Sequence, residues 1–84
     1  MTRKKMTKSI GKVVKVEWQD AEAISAWTAT GSLELTPVVR TAGYLVAVRK
    51  NAIYVSAALD DSSKTANAII GIPLKMVTKF KVVS

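Results

Sequence analysis

The chain has 84 residues, a net charge of +7 and neither cysteine nor histidine. This length allows one small domain, and the composition excludes disulfides and the usual ligand sets of zinc and iron–sulfur centres. No apolar run reaches the ~20 residues of a membrane span, and no apolar segment follows the basic N-terminus as in a signal peptide, so we expect a soluble protein of the cytoplasm.

The first ten residues form a basic segment without hydrophobic periodicity. They are predicted to be a flexible arm in front of a single domain that covers residues 11–84. Four cations carry the charge of this arm: Arg3, Lys4, Lys5 and Lys8. Such a cluster can contact nucleic-acid phosphates, but a terminal segment can equally be a solubilising tail. The acidic residues are concentrated in segment 16–36, which contains no cation, so two surfaces of opposite charge are expected.

The first strand is predicted from Lys12 to Trp18, where apolar and polar residues alternate. A long connection follows, from residue 19 to residue 37. Asp20 can cap the start of a helix, so a short helix is predicted over residues 21–24. Apolar residues further along, among them Trp27, are expected to pack this connection onto the sheet.

A long hairpin is predicted next. Its first strand runs from Val38 to Arg49, and Gly43 lies in the middle, where a lone glycine often marks a sharp bend or a close backbone approach. Lys50 and Asn51 supply the turn, because asparagine tolerates positive φ. The return strand runs from Ile53 to Leu59, and its odd-numbered residues are predicted to share one face.

The last third of the chain contains two short predicted strands. A polar loop over residues 60–65 leads to a strand from Ala68 to Ile72, which Pro73 ends because proline has no backbone donor. One tight 3-10 turn has room before a final strand from Thr78 to Val83, whose even-numbered residues are predicted to face inward. This final strand is an apolar edge, and an unpaired edge invites pairing with another chain.

Five short strands, with a one-turn helix before the last one, predict an all-β fold. The expected architecture is a small, closed and strongly bent five-stranded barrel of the SH3-like or Sm-like type. An OB barrel is the nearest alternative. It expects a longer helix between its third and fourth strands, and the loop over residues 60–67 is too short and too polar for such a helix.

Three parts of the sequence carry a family resemblance. They are residues 69–80 (IIGIPLKMVTKF), residues 43–61, and the front segment 16–21 (VEWQDA) with Trp27 nearby. Together they resemble Sm-like small β-barrel proteins, and the front segment resembles a divergent group of them found in marine bacteriophages. The resemblance covers about residues 12–84 and implies a ring of identical subunits, in which the fourth strand of one subunit pairs with the fifth strand of its neighbour. It also implies binding of single-stranded RNA or DNA, in phage nucleic-acid processing or regulation, without a catalytic step.

The predicted nucleic-acid-binding residues combine the arm with the turn of the long hairpin. They are Arg3, Lys4, Lys5, Lys8, Arg49, Lys50, Asn51 and Tyr54. Sm-type proteins have an asparagine near this turn that contacts the base, and Asn51 is the nearest equivalent in this chain. The family's Arg-Gly before the last strand is Ile70-Gly71 here, without the arginine. Tyr44 and Tyr54 can stack on bases, or they can fill the core or a subunit interface.

The predicted subunit interface uses apolar residues near the end of the chain. They are Ile69, Ile70, Ile72, Val77, Phe80 and Val82. Three lysines also lie near the last strand, at positions 75, 79 and 81. They can bind phosphates, or they can deter unwanted strand pairing at an edge, and the sequence leaves both interpretations open.

No catalytic chemistry is predicted for this chain. It lacks Ser-His-Asp and Cys-His sets, and its only adjacent carboxylates, Asp60 and Asp61, lie in a serine-rich loop where turn formation is the expected role. We therefore expect no enzyme activity, cofactor, metal, small-molecule substrate or membrane partner. Two alternatives to a nucleic-acid-binding ring are a protein-interaction or structural module and a monomeric, duplex-DNA-binding SH3-like barrel.

Overall fold

A computed structural model describes residues 2–19 and 38–84 of the chain. These ranges contain one short helix, five strands and one 3-10 turn. In chain order they are α1 (Arg3–Thr7), β1 (Val13–Gln19), β2 (Val38–Val48), β3 (Ala52–Asp60), β4 (Thr65–Pro73), the 3-10 turn (Leu74–Met76) and β5 (Val77–Val82). The predicted helix over residues 21–24 and the predicted packing of Trp27 fall outside the described residues.

The five strands form one antiparallel sheet in the order β4-β3-β2-β1-β5. The all-β class, the five strands and the 3-10 turn before the last strand are therefore confirmed. The sheet is not closed, because β4 and β5 stand at its two edges and do not pair with each other within the described residues. The predicted closure into a barrel is not confirmed.

The core collects apolar side chains from the helix and from four of the strands. They are Met6, Val14, Val16, Leu45, Ile53, Val55 and Ile72. Full burial of a Leu, Ile or Val side chain contributes about 1.5–3 kcal/mol each. Trp18 and the apolar residues of β5 are half-buried and pack against this cluster. The alternation predicted for β1 is confirmed, since Val14 and Val16 are both fully buried.

The basic arm begins with a helical turn that the sequence did not predict. The hydroxyl of Thr2 accepts the backbone N–H of Lys5 at 3.3 Å, and the side chain of Met6 is only 3% exposed. Gly11, at φ +92°, then turns the chain with a conformation that costs glycine little, and its N–H donates to the carbonyl of Leu45 at 2.7 Å. One helical turn is too short to give a hydrophobic periodicity, so the sequence pattern does not predict this helix. The flexibility of the arm stays a prediction.

β2 passes close to β3 at Gly43. A Cβ added at this position would lie 2.5 Å from the carbonyl oxygen of Ser56, so a side chain cannot be accommodated without a backbone shift. The pairing register of the two strands shifts close by, between Leu45 and Ala47. Of the two roles considered for this glycine, a sharp bend or a close backbone approach, the structure shows the close approach.

The alternation predicted for β3 ends in the middle of the strand. Val55 and Ser56 are adjacent and both buried, and the Ser56 hydroxyl hydrogen-bonds the carbonyl of Asn67 on β4 at 2.6 Å. Ala57 is consequently exposed. Ala57 therefore does not share the burial of Ile53 and Val55, because the serine takes the buried position.

The prediction that Thr78 faces inward on β5 is wrong. The β1–β5 register shifts between Glu17 and Trp18, and this irregularity brings Val77 against the core in place of its neighbour. Thr78 is exposed, and its hydroxyl donates to the carbonyl of Glu17 at 3.1 Å.

Candidate nucleic-acid interface

The turn of the long hairpin lies against the 3-10 turn. The N–H of Arg49 donates to the carbonyl of Ala52 at 2.8 Å and closes the hairpin. The carbonyl of Asn51 accepts the N–H of Leu74 at 2.9 Å. This backbone hydrogen bond fixes two segments side by side that are far apart in the sequence.

Cationic and amide side chains line a shallow groove between these two turns. The lining residues are Lys50, Asn51, Ala52, Pro73, Leu74 and Lys75. Lys50, Asn51 and Lys75 are exposed, and no carboxylate of the described ranges lines the groove. The two ammonium groups attract anions, and the amide can both donate and accept a hydrogen bond. The groove therefore has groups suited to a phosphate and to the edge of a base.

The arm approaches the same 3-10 turn from another side. Arg3 lines a second groove with Leu74, Thr78 and Lys79, among others. Since Leu74 lines both grooves, Arg3 and the hairpin turn flank one structural element. The other cations of the arm are exposed on α1 and at its end: Lys4, Lys5 and Lys8.

The remaining predicted contacts, Arg49 and Tyr54, lie next to the hairpin turn. The Arg49 side chain is exposed, and its Nη1 donates only to the carbonyl of Val48, at 3.4 Å, within the described structure. The ring of Tyr54 packs over Gly71 of β4, where an added Cβ would be 2.9 Å from Cε1. Tyr44 and Tyr54 are each 36% exposed, so neither ring belongs to the buried core. Stacking on a base and a subunit interface both remain open to them.

No protein-family model, no curated protein and no solved structure matches this chain. The resemblance to Sm-like proteins therefore depends on the residues quoted above and stays a prediction. Two findings concern the described residues alone. They contain no helix that is long and apolar enough to span a membrane, and they bring no three His, Cys, Asp or Glu side chains together as a metal site.

The predicted interface residues divide into three groups in the structure. Ile69 and Ile70 on β4 are 52% and 37% exposed and project from an edge strand. Ile72 is fully buried, so its side chain packs in the core of its own chain. Val77, Phe80 and Val82 are half-buried against that core. Exposed apolar area at the β4 edge is thus concentrated in the two isoleucines.

A second charged surface lies on the outer face of β2, β1 and β5. The sequence indicated Lys79 and Lys81 on it as candidate phosphate contacts, but not Lys15 or Arg40. Glu17 on β1 accepts a hydrogen bond from Nε of Arg40 on β2 at 2.9 Å, and Nζ of Lys79 on β5 lies 3.6 Å from its other oxygen. The hydrogen bond from Arg40 is the largest effect and holds the pKa of this carboxyl below its usual value. Desolvation, the next largest effect, opposes it, and the charge of Lys79 adds a smaller lowering. In the neighbouring row, Lys15 lies directly opposite Lys81.

Asp60 acts as a turn residue, as predicted. Its Oδ1 accepts hydrogen bonds from the N–H of Ser62 at 3.0 Å, the hydroxyl of Ser62 at 2.7 Å and the N–H of Ser63 at 3.3 Å. These bonds lower the pKa of the carboxyl, the one from the Ser62 side chain most of all. The carboxylate therefore stabilises the β3–β4 turn.

Proposed function

We propose that this chain is an Sm-like subunit that assembles head to tail into a ring and binds single-stranded RNA or DNA without a catalytic step. The observation that carries the proposal is the position of β4 and β5 at opposite edges of one sheet. Each edge strand has a partner on one side only within the described residues. β4 of one subunit would pair with β5 of the next, as the family resemblance implies.

The physical case for assembly begins with the edges. An unpaired edge strand leaves a row of backbone N–H and C=O groups free to pair with another chain. A contact between two different edges is heterologous, and it closes into a cyclic oligomer when the rotation between subunits allows it. Ile69 and Ile70 would then lose exposed apolar area in the contact, which favours association.

The small-barrel architecture belongs to this proposal. The register shifts in the β2–β3 and β1–β5 pairs and the glycine contact at Gly43 are features that curl a sheet. A ring of such curled sheets would repeat the groove of Lys50, Asn51 and Lys75 once per subunit. The repeated grooves would form a basic track for a nucleic-acid strand.

Binding would depend mainly on phosphates, because the chain carries a net charge of +7. If each subunit neutralises about four phosphates of a single strand, the slope of log K against log salt is about −2.8, and binding weakens about fifty-fold between roughly 50 and 200 mM salt. Asn51 and the ring of Tyr54 would add contacts to bases, for which stacking contributes about 1–3 kcal/mol per base.

Light scattering with and without a single-stranded oligonucleotide tests the assembly. The expected mass is a multiple of the 9.1 kDa chain. Ile69→Lys places a charge on the β4 edge and should give a monomer with an unchanged circular-dichroism spectrum. Ser63→Lys, which adds the same charge in the exposed β3–β4 loop, should leave the ring intact. A wild-type protein that stays at 9.1 kDa at micromolar concentration contradicts the proposal.

Fluorescence anisotropy with labelled single strands tests the binding. Lys50→Gln and Lys75→Gln should each weaken binding and reduce the salt slope by about 0.7. Affinity that does not change with salt would contradict the phosphate mechanism. A ring that binds neither RNA nor DNA would favour the alternative of a protein-interaction or structural module. A monomer that prefers duplex DNA would favour the alternative of a duplex-DNA-binding SH3-like barrel.

A further inference from the structure

We infer that the outer face of β2, β1 and β5 is a second phosphate-binding surface, on which Lys15 and Lys81 hold the backbone of a long single strand after it leaves the groove at the hairpin turn. This inference rests on the proposed nucleic-acid binding and adds a separate site to it. The charged residues that line the shallow groove on this face are Lys15, Glu17, Arg40, Lys79 and Lys81.

Charge is unevenly compensated on this face. Glu17 contacts Arg40 and Lys79 in one row, whereas Lys15 and Lys81 face each other in the next row. Within the described residues, neither of these two lysines has an ion-pair partner. Counted over the described residues, the face therefore carries four cations against one carboxylate, and two of the cations have no carboxylate beside them there.

Edge protection does not explain this arrangement. Lysines deter aberrant pairing when they lie on an edge strand, and Lys79 and Lys81 on β5 would satisfy that role. Lys15, however, lies on β1, which pairs with β2 on one side and with β5 on the other. A lysine in the middle of a sheet protects no edge, so edge protection does not account for Lys15.

The pairing of Lys15 with Lys81 is also unfavourable for folding. Like charges that lie directly opposite each other on neighbouring strands are destabilising. A phosphate bound between the two ammonium groups would convert this repulsion into two attractive contacts. An arrangement that is unfavourable in the free subunit and favourable with an anion indicates binding rather than structural support.

The occupant is a nucleic-acid phosphate because of the charge of the whole molecule. The 3-10 turn already joins two other sets of cations, at the hairpin turn and at Arg3. Lys79 lines both the groove beside Arg3 and the groove on the outer face. The two grooves therefore adjoin at Lys79, and a flexible strand can pass from one to the other there.

The test compares a ~6-nucleotide with a ~30-nucleotide mixed-sequence single strand, since a short strand fills only a few contact positions. Lys15→Gln and Lys81→Gln should each reduce the salt slope for the long strand by about 0.7 and leave binding of the short strand unchanged. Lys64→Gln removes the same charge from the exposed β3–β4 loop and should change neither. Both β-sheet variants should unfold at the same or a higher temperature than wild type, which separates lost binding from lost folding.

Glu17→Gln should change the binding of the long strand in the opposite direction to the two lysine substitutions. Removing the carboxylate frees Arg40 and Lys79, so binding of the long strand should tighten and its salt slope should become steeper. If the three variants behave like Lys64→Gln while the wild type still binds both strands, the second surface is contradicted and the proposed function stands. If the wild type binds neither strand, both proposals fail.

Discussion

Gly43 and Gly71 are two strand glycines that leave space for different neighbouring atoms. At Gly43 an added Cβ would meet the backbone oxygen of Ser56, whereas at Gly71 it would meet the ring of Tyr54. Backbone paired in a sheet cannot move away cheaply, but a half-exposed ring can change its rotamer. We therefore expect Gly43→Ala to lower the free energy of unfolding by about 1–3 kcal/mol or more, and Gly71→Ala to cost less. Urea denaturation of both variants measures the difference, and equal costs would contradict the close approach at Gly43.

Glu17 links the acid stability of the protein to its charged outer face. Its pKa is lowered from the usual 4.5, mainly by the hydrogen bond from Arg40. A carboxyl with a lowered folded-state pKa stabilises the fold above its unfolded-state pKa, and this stabilisation is lost as pH falls through the folded-state value. We expect Glu17→Gln to make the fall of melting temperature below pH 4.5 shallower than in wild type. Asp61→Asn, at an exposed carboxylate without an ion pair in the described structure, should keep the wild-type slope, and identical slopes for all three proteins would contradict this role.

α1 depends on one side chain for its place on the sheet. A helix of five residues is too short to be stable in water by itself, so the burial of Met6 holds it. Met6→Ala should cost about 2–5 kcal/mol, as for other buried large-to-alanine changes. Lys5→Ala, at an exposed position of the same helix, should stay within about 0.5 kcal/mol of wild type. Chemical denaturation gives both values, and a Met6→Ala cost as small as that of Lys5→Ala would mean that the helix is not docked.

The bounds of the strands show how much of the secondary structure a single sequence can predict. β1 was predicted within one residue at each end because its alternation is regular, and the hairpin turn was predicted from Lys50 and Asn51. β4 begins three residues earlier than predicted, at Thr65, because residues 65–67 pair with the end of β3. These residues are polar or small, and most are exposed, so they show no hydrophobic pattern that would predict a strand.

The candidate site was predictable only in its parts. Lys50, Asn51 and Lys75 are visible in the sequence, but their meeting depends on the hydrogen bond between Asn51 and Leu74. The opposition of Lys15 and Lys81 depends on the register of β1 against β5. Local periodicity indicates which face of a strand is buried, but it does not indicate which strand is the partner. It therefore predicts neither the contact between the two turns nor the register between distant strands.

At the scale of the whole molecule, stability and assembly are expected to be coupled. The chain has 84 residues and no disulfide, and small domains without staples often gain stability by oligomerising. If the ring binds folded subunits and not unfolded ones, mass action makes its melting temperature rise with protein concentration. The isolated subunit has no such dependence.

A concentration series of thermal melts therefore tests the molecule as a unit. A ~100-fold increase in concentration adds up to about 2.7 kcal/mol per subunit by mass action, and in a domain of this size each kcal/mol raises the melting temperature by about 4–8 °C. Wild type should shift upward by several degrees, and Ile69→Lys should not shift, because its charged β4 edge cannot be covered. A wild-type melting temperature that is constant over the series would mean that both edges are stable unpaired, and the ring would lose its physical basis.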